Sequence, residues 1–186
     1  MAKLFYRYST MGAGKSMEIY RIAENYKRQN KKAICLVPEI VGEIKSRTGL
    51  KVSSIPIREH TFLTDIIEYL PVDCILVDEV QFLTKEQVLD LVEIVDTQYI
   101  PVICYGLKND FKNDLFEGSK YLLIYADKIE EIKTTCYFCN RKATMVMRIE
   151  DGKPVYEGEQ VKINKDDYLP VCRKHWFKGR ELKSEI

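Results

Sequence analysis

Residues 4–16 of this 186-residue chain read LFYRYSTMGAGKS, and this stretch decides the fold class. Residues 4–8 are predicted to form a β-strand, and helical spacing predicts a helix over residues 15–29. The strand, the glycine-containing turn and the helix together form a phosphate-binding loop, because N–H groups at a helix start can cradle phosphate oxygens. The residues predicted to bind nucleotide phosphates are Ser9, Thr10, Met11, Gly12, Ala13, Gly14, Lys15 and Ser16.

The end of this loop, Gly14, Lys15 and Ser16, matches the end of the phosphate-loop motif. In that motif the lysine neutralises the β- and γ-phosphates of a nucleotide, and the hydroxyl that follows it binds Mg²⁺. Ser9 stands where the motif has its first glycine, so the match is incomplete. The alternative is a Gly/Ser turn with a surface lysine, but the strand before it and the helix after it favour a phosphate loop.

A second apolar strand, residues 74–78, ends in two adjacent carboxylates, Asp78 and Glu79. In phosphate-loop enzymes a strand of this kind places an aspartate beside the magnesium ion, a role predicted here for Asp78. Glu79 would then lie within reach of the same phosphates and could act as a general base. Adjacent carboxylates at a strand end can also be a solvated turn, but the upstream phosphate loop favours function.

Further strands are predicted over residues 33–37, 52–57 and 100–105, and helices over residues 61–70 and 84–97. Thr84 is a plausible N-cap, with Gln87 three residues later. Strands that alternate with helices indicate βαβ units and a mostly parallel sheet. The predicted fold class is therefore α/β.

Four residues near the C-terminus form a ligand set for one tetrahedral metal ion: Cys136, Cys139, Cys172 and His175. Two pairs, each with two intervening residues, are typical of a structural zinc site whose four positions are all filled by protein. The alternative is a coincidence of core cysteines. The chain is therefore divided into an α/β domain, residues 1–134, and a zinc module, residues 135–186. Within the module, residues 151–152 predict a hairpin turn and residues 156–167 a long loop.

Hydrophobic residues make up 46% of the chain and charged residues 31%, as in a globular protein with a substantial core. The formal net charge is +1, which gives no electrostatic reason to expect nucleic acid or an anionic membrane as a partner. Cys35, Cys74 and Cys104 each lie in an apolar run and are expected in the core. Without a disulfide framework, signal peptide or transmembrane stretch, the expected location is the cytoplasm.

Several of these motifs together resemble the type II, zinc-containing thymidine kinases, the family of the cytosolic human enzyme. The resemblance covers nearly the whole chain. It rests on residues 9–16, on DEVQF at residues 78–82 and on the two metal-binding pairs. Between DEVQF and the first of these pairs, it also rests on Gly106, Leu107, Phe111, Phe116 and residues 126–128. It implies a P-loop NTPase-type parallel sheet and a zinc-ribbon-like module with a lasso loop that covers the substrate. It also implies transfer of the ATP γ-phosphoryl group to the 5′-hydroxyl of thymidine or deoxyuridine, with Mg²⁺ and Zn²⁺. Members are commonly homotetramers, and inhibition by dTTP is possible.

The same resemblance assigns roles to individual residues. Glu79 matches the base, Lys15 the phosphate-binding lysine, and Asp78 with Ser16 the magnesium ligands, while Gln81 joins the nucleotide site. The residues implied for the nucleoside pocket are Met11, Phe82, Leu107, Phe111, Phe116, Val146, Val161, Lys162, Ile163, Asn164 and Tyr168.

The chain departs from the family pattern in places. The Asp-x-Arg that follows the second strand is absent, its aligned stretch offers Val41 and Glu43, and Arg47 could substitute for the arginine. Lys108 stands where an aspartate is common. Two alternatives remain. One is a zinc-ribbon protein that binds nucleic acid and carries a P-loop ATPase, because zinc ribbons with two metal-binding pairs often bind nucleic acid. The other, which the departures at Ser9 and the Asp-x-Arg motivate, is a kinase homologue that binds nucleotide with weak catalysis.

Overall fold

The computed structural model describes residues 1–42, 44–45, 51–67, 71–161 and 168–184. The chain as far as residue 132 supplies eight of the strands: β1 Leu4–Ser9, β2 Ala33–Pro38, β3 Ile44–Lys45, β4 Lys51–Val52, β5 Ile55–Ile57, β6 Cys74–Val77, β7 Val102–Leu107 and β8 Lys128–Ile132. The helices are α1 Lys15–Arg28, α2 Leu63–Ile67, α3 Lys85–Gln98, α4 Glu117–Tyr125 and α5 Arg173–Ser184. Among the helices of these described ranges, none is long and apolar enough to cross a membrane.

Six strands form one sheet in the order β5-β2-β6-β7-β1-β8, and every neighbouring pair is parallel. In a parallel sheet all the carboxyl ends lie at one edge, which is where ligands bind in open α/β folds. The carboxyl end of β1 leads into the phosphate loop, and that of β6 leads into Asp78. The sheet order places β7 between these two strands, so residues after β7 also face the site.

Both faces of the sheet are buried, as a parallel sheet with helices on each side requires. Along β2, Ile34 and Leu36 belong to one apolar cluster, which includes residues of α3, while Cys35 and Val37 belong to another, which includes Ile19 of α1. This alternation follows from the two-residue repeat of a strand. The predicted α/β class is confirmed.

The remaining cysteines of the sheet, Cys74 and Cys104, are fully buried, as expected for core residues. Burial raises the pKa of the Cys74 thiol to about 11 and that of the Cys35 thiol to about 12. Both thiols are therefore protonated near neutral pH and serve as small apolar side chains.

The N-cap predicted at the start of α3 is present in the structure. The Thr84 side chain accepts a hydrogen bond from the backbone N–H of Gln87, and the Gln87 side chain accepts one from the backbone N–H of Thr84. Together they form the predicted capping box, which satisfies two N–H groups at the helix start.

Several elements differ from the predictions. The strand expected over residues 52–57 is divided into β4, which pairs antiparallel with β3, and β5, which lies at the edge of the main sheet. Strand β8 and helix α4 were not predicted. The sequence of β8, KIEEI, lacks an apolar run because it is an edge strand, which pairs with β1 alone among the described strands.

The C-terminal part builds a separate antiparallel sheet in the order β10-β9-β11, from β9 Met145–Glu150, β10 Lys153–Val155 and β11 Tyr168–Val171. Asp151 and Gly152 have φ of 49° and 75° and connect β9 to β10, so the predicted hairpin turn is confirmed. A third apolar cluster, which includes Trp176 and Met147, fills this part. The division near residue 134 stays a prediction.

Candidate active site and metal centre

The turn after β1 has the backbone of a phosphate-binding loop. Gly12 and Gly14 have φ of 74° and 88°, values that glycine adopts without strain. Gly14 is the N-cap of α1, and its carbonyl accepts hydrogen bonds from the N–H groups of Met17 and Glu18. The N–H groups of Lys15 and Ser16, which precede these two at the start of α1, have no carbonyl partner within the helix and can bind an anion at the mouth of the loop.

The side chain of Lys15 is buried, with 9% of its surface exposed, and its Nζ donates a hydrogen bond to Ser9 Oγ over 3.2 Å. The same Ser9 hydroxyl donates to the carbonyl of Thr10 over 2.8 Å. Serine at the position of the motif's first glycine thus gives the lysine a hydrogen-bond partner. A buried ammonium within a loop of this geometry fits a phosphate group.

Two oxygen ligands meet beside the loop, since Ser16 Oγ donates to Asp78 Oδ2 over 3.4 Å. Asp78 is 2% exposed, and its burial and the neighbouring Glu79 charge raise the pKa of its carboxyl above the usual range, against the opposing effect of Lys15. Two carboxylates with one ammonium leave an excess of negative charge. A hydroxyl and a carboxylate with such an excess suit a hard divalent cation.

Glu79 has a left-handed backbone, with φ of 51° and ψ of 40°. This conformation is uncommon for a residue other than glycine and is characteristic of functional sites. Its N–H donates to Asp78 Oδ1 over 2.9 Å, which stabilises the sharp turn after β6. The turn directs the two adjacent carboxylates to different tasks, one beside Ser16 and the other toward a cavity.

Gln81 fixes the Glu79 carboxylate. Its Nε2 donates to Glu79 Oε2 over 2.6 Å, and its Oε1 accepts from the N–H of Leu107 over 3.0 Å. Gly106 makes this contact possible, because a Cβ there would lie 2.6 Å from Gln81 Oε1 and 2.8 Å from Val80 Cγ2. Gln81 was predicted only as a nucleotide-binding residue, and the structure shows it as the link between the ends of β6 and β7.

A cavity opens between the phosphate loop and the C-terminal sheet, and it contains most of the predicted nucleoside pocket. Of the predicted residues, those that line it are Met11, Phe82, Leu107, Phe111, Phe116, Val146, Val161 and Tyr168. Glu79 and Gln81 line the same cavity. Lys162, Ile163 and Asn164 lie outside the described residues.

Five further residues line this cavity and were not predicted as pocket residues: Ile40, Val41, Asn109, Asp110 and Gln160. Ile40 and Val41 occupy the stretch where the resemblance expects an Asp-x-Arg, so apolar side chains stand there. Asn109 and Asp110 are the two residues before Phe111, and their position next to a predicted pocket residue is the sequence feature that could have identified them. Arg47 and Glu43 lie outside the described residues. Lys108 does not line the cavity, and its Nζ lies 5.3 Å from the Tyr8 ring centroid.

The four predicted metal ligands are brought together, with all their ligand atoms within 4.8 Å of one another: Cys136, Cys139, Cys172 and His175. His175 Nδ1 lies 3.4 Å from Cys136 Sγ and 3.4 Å from Cys172 Sγ, and the latter lies 3.9 Å from Cys139 Sγ. Metal–ligand distances of about 2.3 Å for sulfur and 2.0 Å for nitrogen in a tetrahedron give edges of about 3.5–3.8 Å. The arrangement therefore fits zinc.

Hydrogen bonding within the cluster favours the thiolate form of Cys136. Desolvation raises the pKa of the Cys136 thiol, but hydrogen bonds from the backbone N–H groups of Cys172 and Phe138 and from His175 outweigh it and lower the pKa to about 6. A thiolate is the form that binds zinc. With four protein ligands, the cluster offers no open position for chemistry.

The comparisons of this sequence with known proteins agree with one another. A family model described as thymidine kinase matches residues 2–176. The chain is 50% identical to a thymidine kinase of Lactococcus lactis, over 96% of this chain and 98% of that protein. It is 53% identical to one of Streptococcus thermophilus, over 95% and 94% of the two chains. It is 50% identical to one of Enterococcus faecalis, over the full length of both.

Proposed function

The chain belongs to the thymidine kinase family, and from this premise we propose that it transfers the γ-phosphoryl group of ATP to the 5′-hydroxyl of thymidine or deoxyuridine. The family implies small-molecule substrates, ATP and a divalent metal. One observation carries the proposal for this chain: Met11 of the phosphate loop, the Glu79 carboxylate and an aromatic wall line a single cavity. A nucleoside in that cavity has its reacting end beside the phosphates and its base among apolar side chains.

The base of the nucleoside would lie against the aromatic wall formed by Phe82, Phe111 and Phe116. The Phe82 and Phe116 rings pack edge to face, with centroids 6.0 Å apart. A flat heterocycle is recognised by apolar walls and a few polar groups, here supplied in our proposal by the lasso, residues 161–164, and Tyr168. Val146 of β9 would complete the pocket.

In the reaction, the 5′-oxygen of the nucleoside forms a bond to the γ-phosphorus, and the bond from this phosphorus to the β–γ bridging oxygen breaks. The proton of the 5′-hydroxyl passes to Glu79, which Gln81 holds in position, and ADP leaves with the bridging oxygen. Lys15 would neutralise the β- and γ-phosphates together with the N–H groups of the phosphate loop. Asp78 and Ser16 would hold Mg²⁺, which supplies further charge neutralisation.

The zinc module would have a structural role. Cys136, Cys139, Cys172 and His175 would hold one Zn²⁺ with no free position. Val146 and Tyr168 lie on β9 and β11, which belong to the sheet next to this cluster. Zinc would therefore support the nucleoside pocket and take no part in phosphoryl transfer.

The remaining expectations come partly from the sequence and partly from the resemblance. We propose two domains, residues 1–134 and 135–186, a homotetramer, inhibition by dTTP, a cytoplasmic location, and neither nucleic acid nor membrane as a partner. Size-exclusion chromatography with light scattering would measure the oligomer. Addition of dTTP to the kinase assay would measure inhibition.

The proposal is tested with purified protein, ATP, MgCl₂ and a panel of nucleosides. We expect thymidine monophosphate and ADP in equal amounts, with thymidine and deoxyuridine preferred over purine nucleosides and cytidine. ATP hydrolysis that is independent of nucleoside but stimulated by DNA or RNA would instead favour the nucleic-acid-binding ATPase. Thymidine binding without turnover would favour the weak kinase homologue.

A further inference from the structure

Arg148 of β9 is a buried charged residue to which no role has been assigned. Its exposed fraction is 6%, and its guanidinium forms an ion pair with Glu150. A second nitrogen, Nη1, donates to the carbonyl of Glu159 over 3.3 Å. Its Nε is buried and has no hydrogen-bond partner among the residues that the structure describes. Burying a guanidinium is costly even when it is paired, so the position calls for a reason beyond stability.

The contact between the guanidinium and the Phe111 ring supplies that reason. Arg148 Cζ lies 5.1 Å from the ring centroid of Phe111, which lines the cavity and is only 1% exposed. A planar cation at this distance from an aromatic ring is attracted to its face, and the attraction is stronger away from water. Arg148 itself does not line the cavity, so it acts through Phe111.

The same interactions fix the chain that leads toward the lasso. Arg148 bonds the carbonyl of Glu159, and Lys112, whose Nζ lies 5.9 Å from the Phe111 centroid, donates to the carbonyl of Gly158 over 3.4 Å. Residues 158–159 are thus held by two cations that also contact the pocket ring. They directly precede Gln160 and Val161, which line the cavity.

A third bond closes the arrangement. Gln160 Nε2 donates to Asp110 Oδ2 over 3.1 Å, and Asp110 Oδ1 accepts from the N–H groups of Lys112 and Asp114. Asp110 is 2% exposed, so its carboxylate is part of the folded interior. These contacts therefore join the loop around Phe111 to the segment 158–160, and Arg148 contacts both of them.

We propose that Arg148 is a positioning residue for nucleoside binding, which orients Phe111 and holds residues 158–160 beside the cavity. This rests on the proposed function, because it assumes that the nucleoside base lies on Phe111. Arginine suits the task because its planar fork can stack on the ring and hydrogen-bond two partners at once. Lysine at this position would keep the charge but lose the fork.

The test uses the variants Arg148→Met and Arg148→Lys, with Arg141→Met, an exposed arginine near the zinc ligands, as the matched control. For Arg148→Met we expect the thymidine KM to rise on the order of tenfold, with kcat and the ATP KM within about twofold of wild type. Arg148→Lys should give a smaller rise, and Arg141→Met none. A thymidine KM within about twofold of wild type for Arg148→Met would overturn the proposal.

Two readouts separate this proposal from the proposed function and from misfolding. Trp176 is the single tryptophan, and its Nε1 donates to the carbonyl of Phe111 over 3.0 Å, so we expect its fluorescence to change on nucleoside binding without turnover. Hydrogen exchange of the amides at residues 109–112 and 158–161 requires no nucleoside. Arg148→Met should speed this exchange at unchanged zinc content, even if thymidine proves not to be the substrate. Unchanged exchange would refute the positioning role. Loss of zinc together with a large fall in kcat and a large rise in both KM values would also refute it.

Discussion

Gln81 donates a hydrogen bond to the carboxylate of Glu79 over 2.6 Å, although the two residues were expected to serve different ligands. Because Gln81 is also bonded to the N–H of Leu107, the position of Glu79 depends on the alignment of β6 with β7. Gln81, which is bonded to the sheet, therefore fixes the orientation of the Glu79 carboxylate. Such preorganisation is what general-base catalysis requires.

Gln81→Leu should lower kcat while leaving the zinc module intact. Leucine fills similar space but cannot hydrogen-bond Glu79 or the N–H of Leu107, so the carboxylate loses its fixed orientation. We expect a fall of about ten- to a hundredfold in kcat, as for a misplaced catalytic group. Steady-state kinetics would measure it. A kcat equal to that of wild type would mean that the Gln81 contact has no catalytic importance.

Glu79→Gln should have a larger effect, because it removes the base and keeps the shape. General-base catalysis typically contributes on the order of 10²- to 10⁴-fold, and kcat should fall by that amount. Thymidine affinity, measured from Trp176 fluorescence, should change little, since the base of the nucleoside is bound elsewhere. If kcat stays within about threefold of wild type, the proton is accepted by another group or by water.

Lys15→Ala should abolish measurable turnover. The buried ammonium is the only cation that the phosphate-loop motif assigns to the β- and γ-phosphates, and its loss should cost on the order of 10³-fold in kcat. Lys27→Ala, at an exposed position of the same helix, is the control and should retain wild-type activity. Zinc content should be normal in both variants. Substantial activity in Lys15→Ala would show that residues 9–16 form only a turn.

Zinc removal should impair nucleoside binding more than ATP binding. Elemental analysis of freshly purified protein should give one zinc per chain, and Cys139→Ser should reduce this content. Because β9 and β11 carry Val146 and Tyr168, we expect the thymidine KM to rise while a fluorescent ATP analogue still binds. Protein purified without chelator that contains no zinc would contradict the prediction.

Gly106→Ala should damage the site through sterics alone. The added Cβ would lie 2.6 Å from Gln81 Oε1, so Gln81 must move and release the N–H of Leu107. We expect a loss of about 1–3 kcal/mol in the free energy of unfolding, together with a fall in kcat like that of Gln81→Leu. Thermal denaturation and kinetics would measure the two effects. Normal stability with normal kcat would show that the ends of β6 and β7 adjust to the extra carbon.

The sequence alone was sufficient for features that depend on neighbouring residues. The phosphate loop, the capping box at Thr84, the hairpin turn at Asp151 and the class of the fold were all read from local patterns. Their common basis is that backbone sterics and side-chain periodicity act over a few residues. The four candidate metal ligands, which the structure brings together, were also identified from the sequence, since each pair lies within one short turn and the chemistry of zinc limits the possible partners.

Only the tertiary structure decided how the pocket is held together. Gln81 and Leu107 are 26 positions apart, Asp110 and Gln160 are 50 apart, and Phe111 and Trp176 are 65 apart. No local pattern encodes such pairs, because strand order and side-chain packing bring them together. Arg148 is the clearest case: its sequence neighbours assign it no role, and it becomes a positioning residue because the folded chain brings the Phe111 ring and the Glu159 carbonyl to its guanidinium.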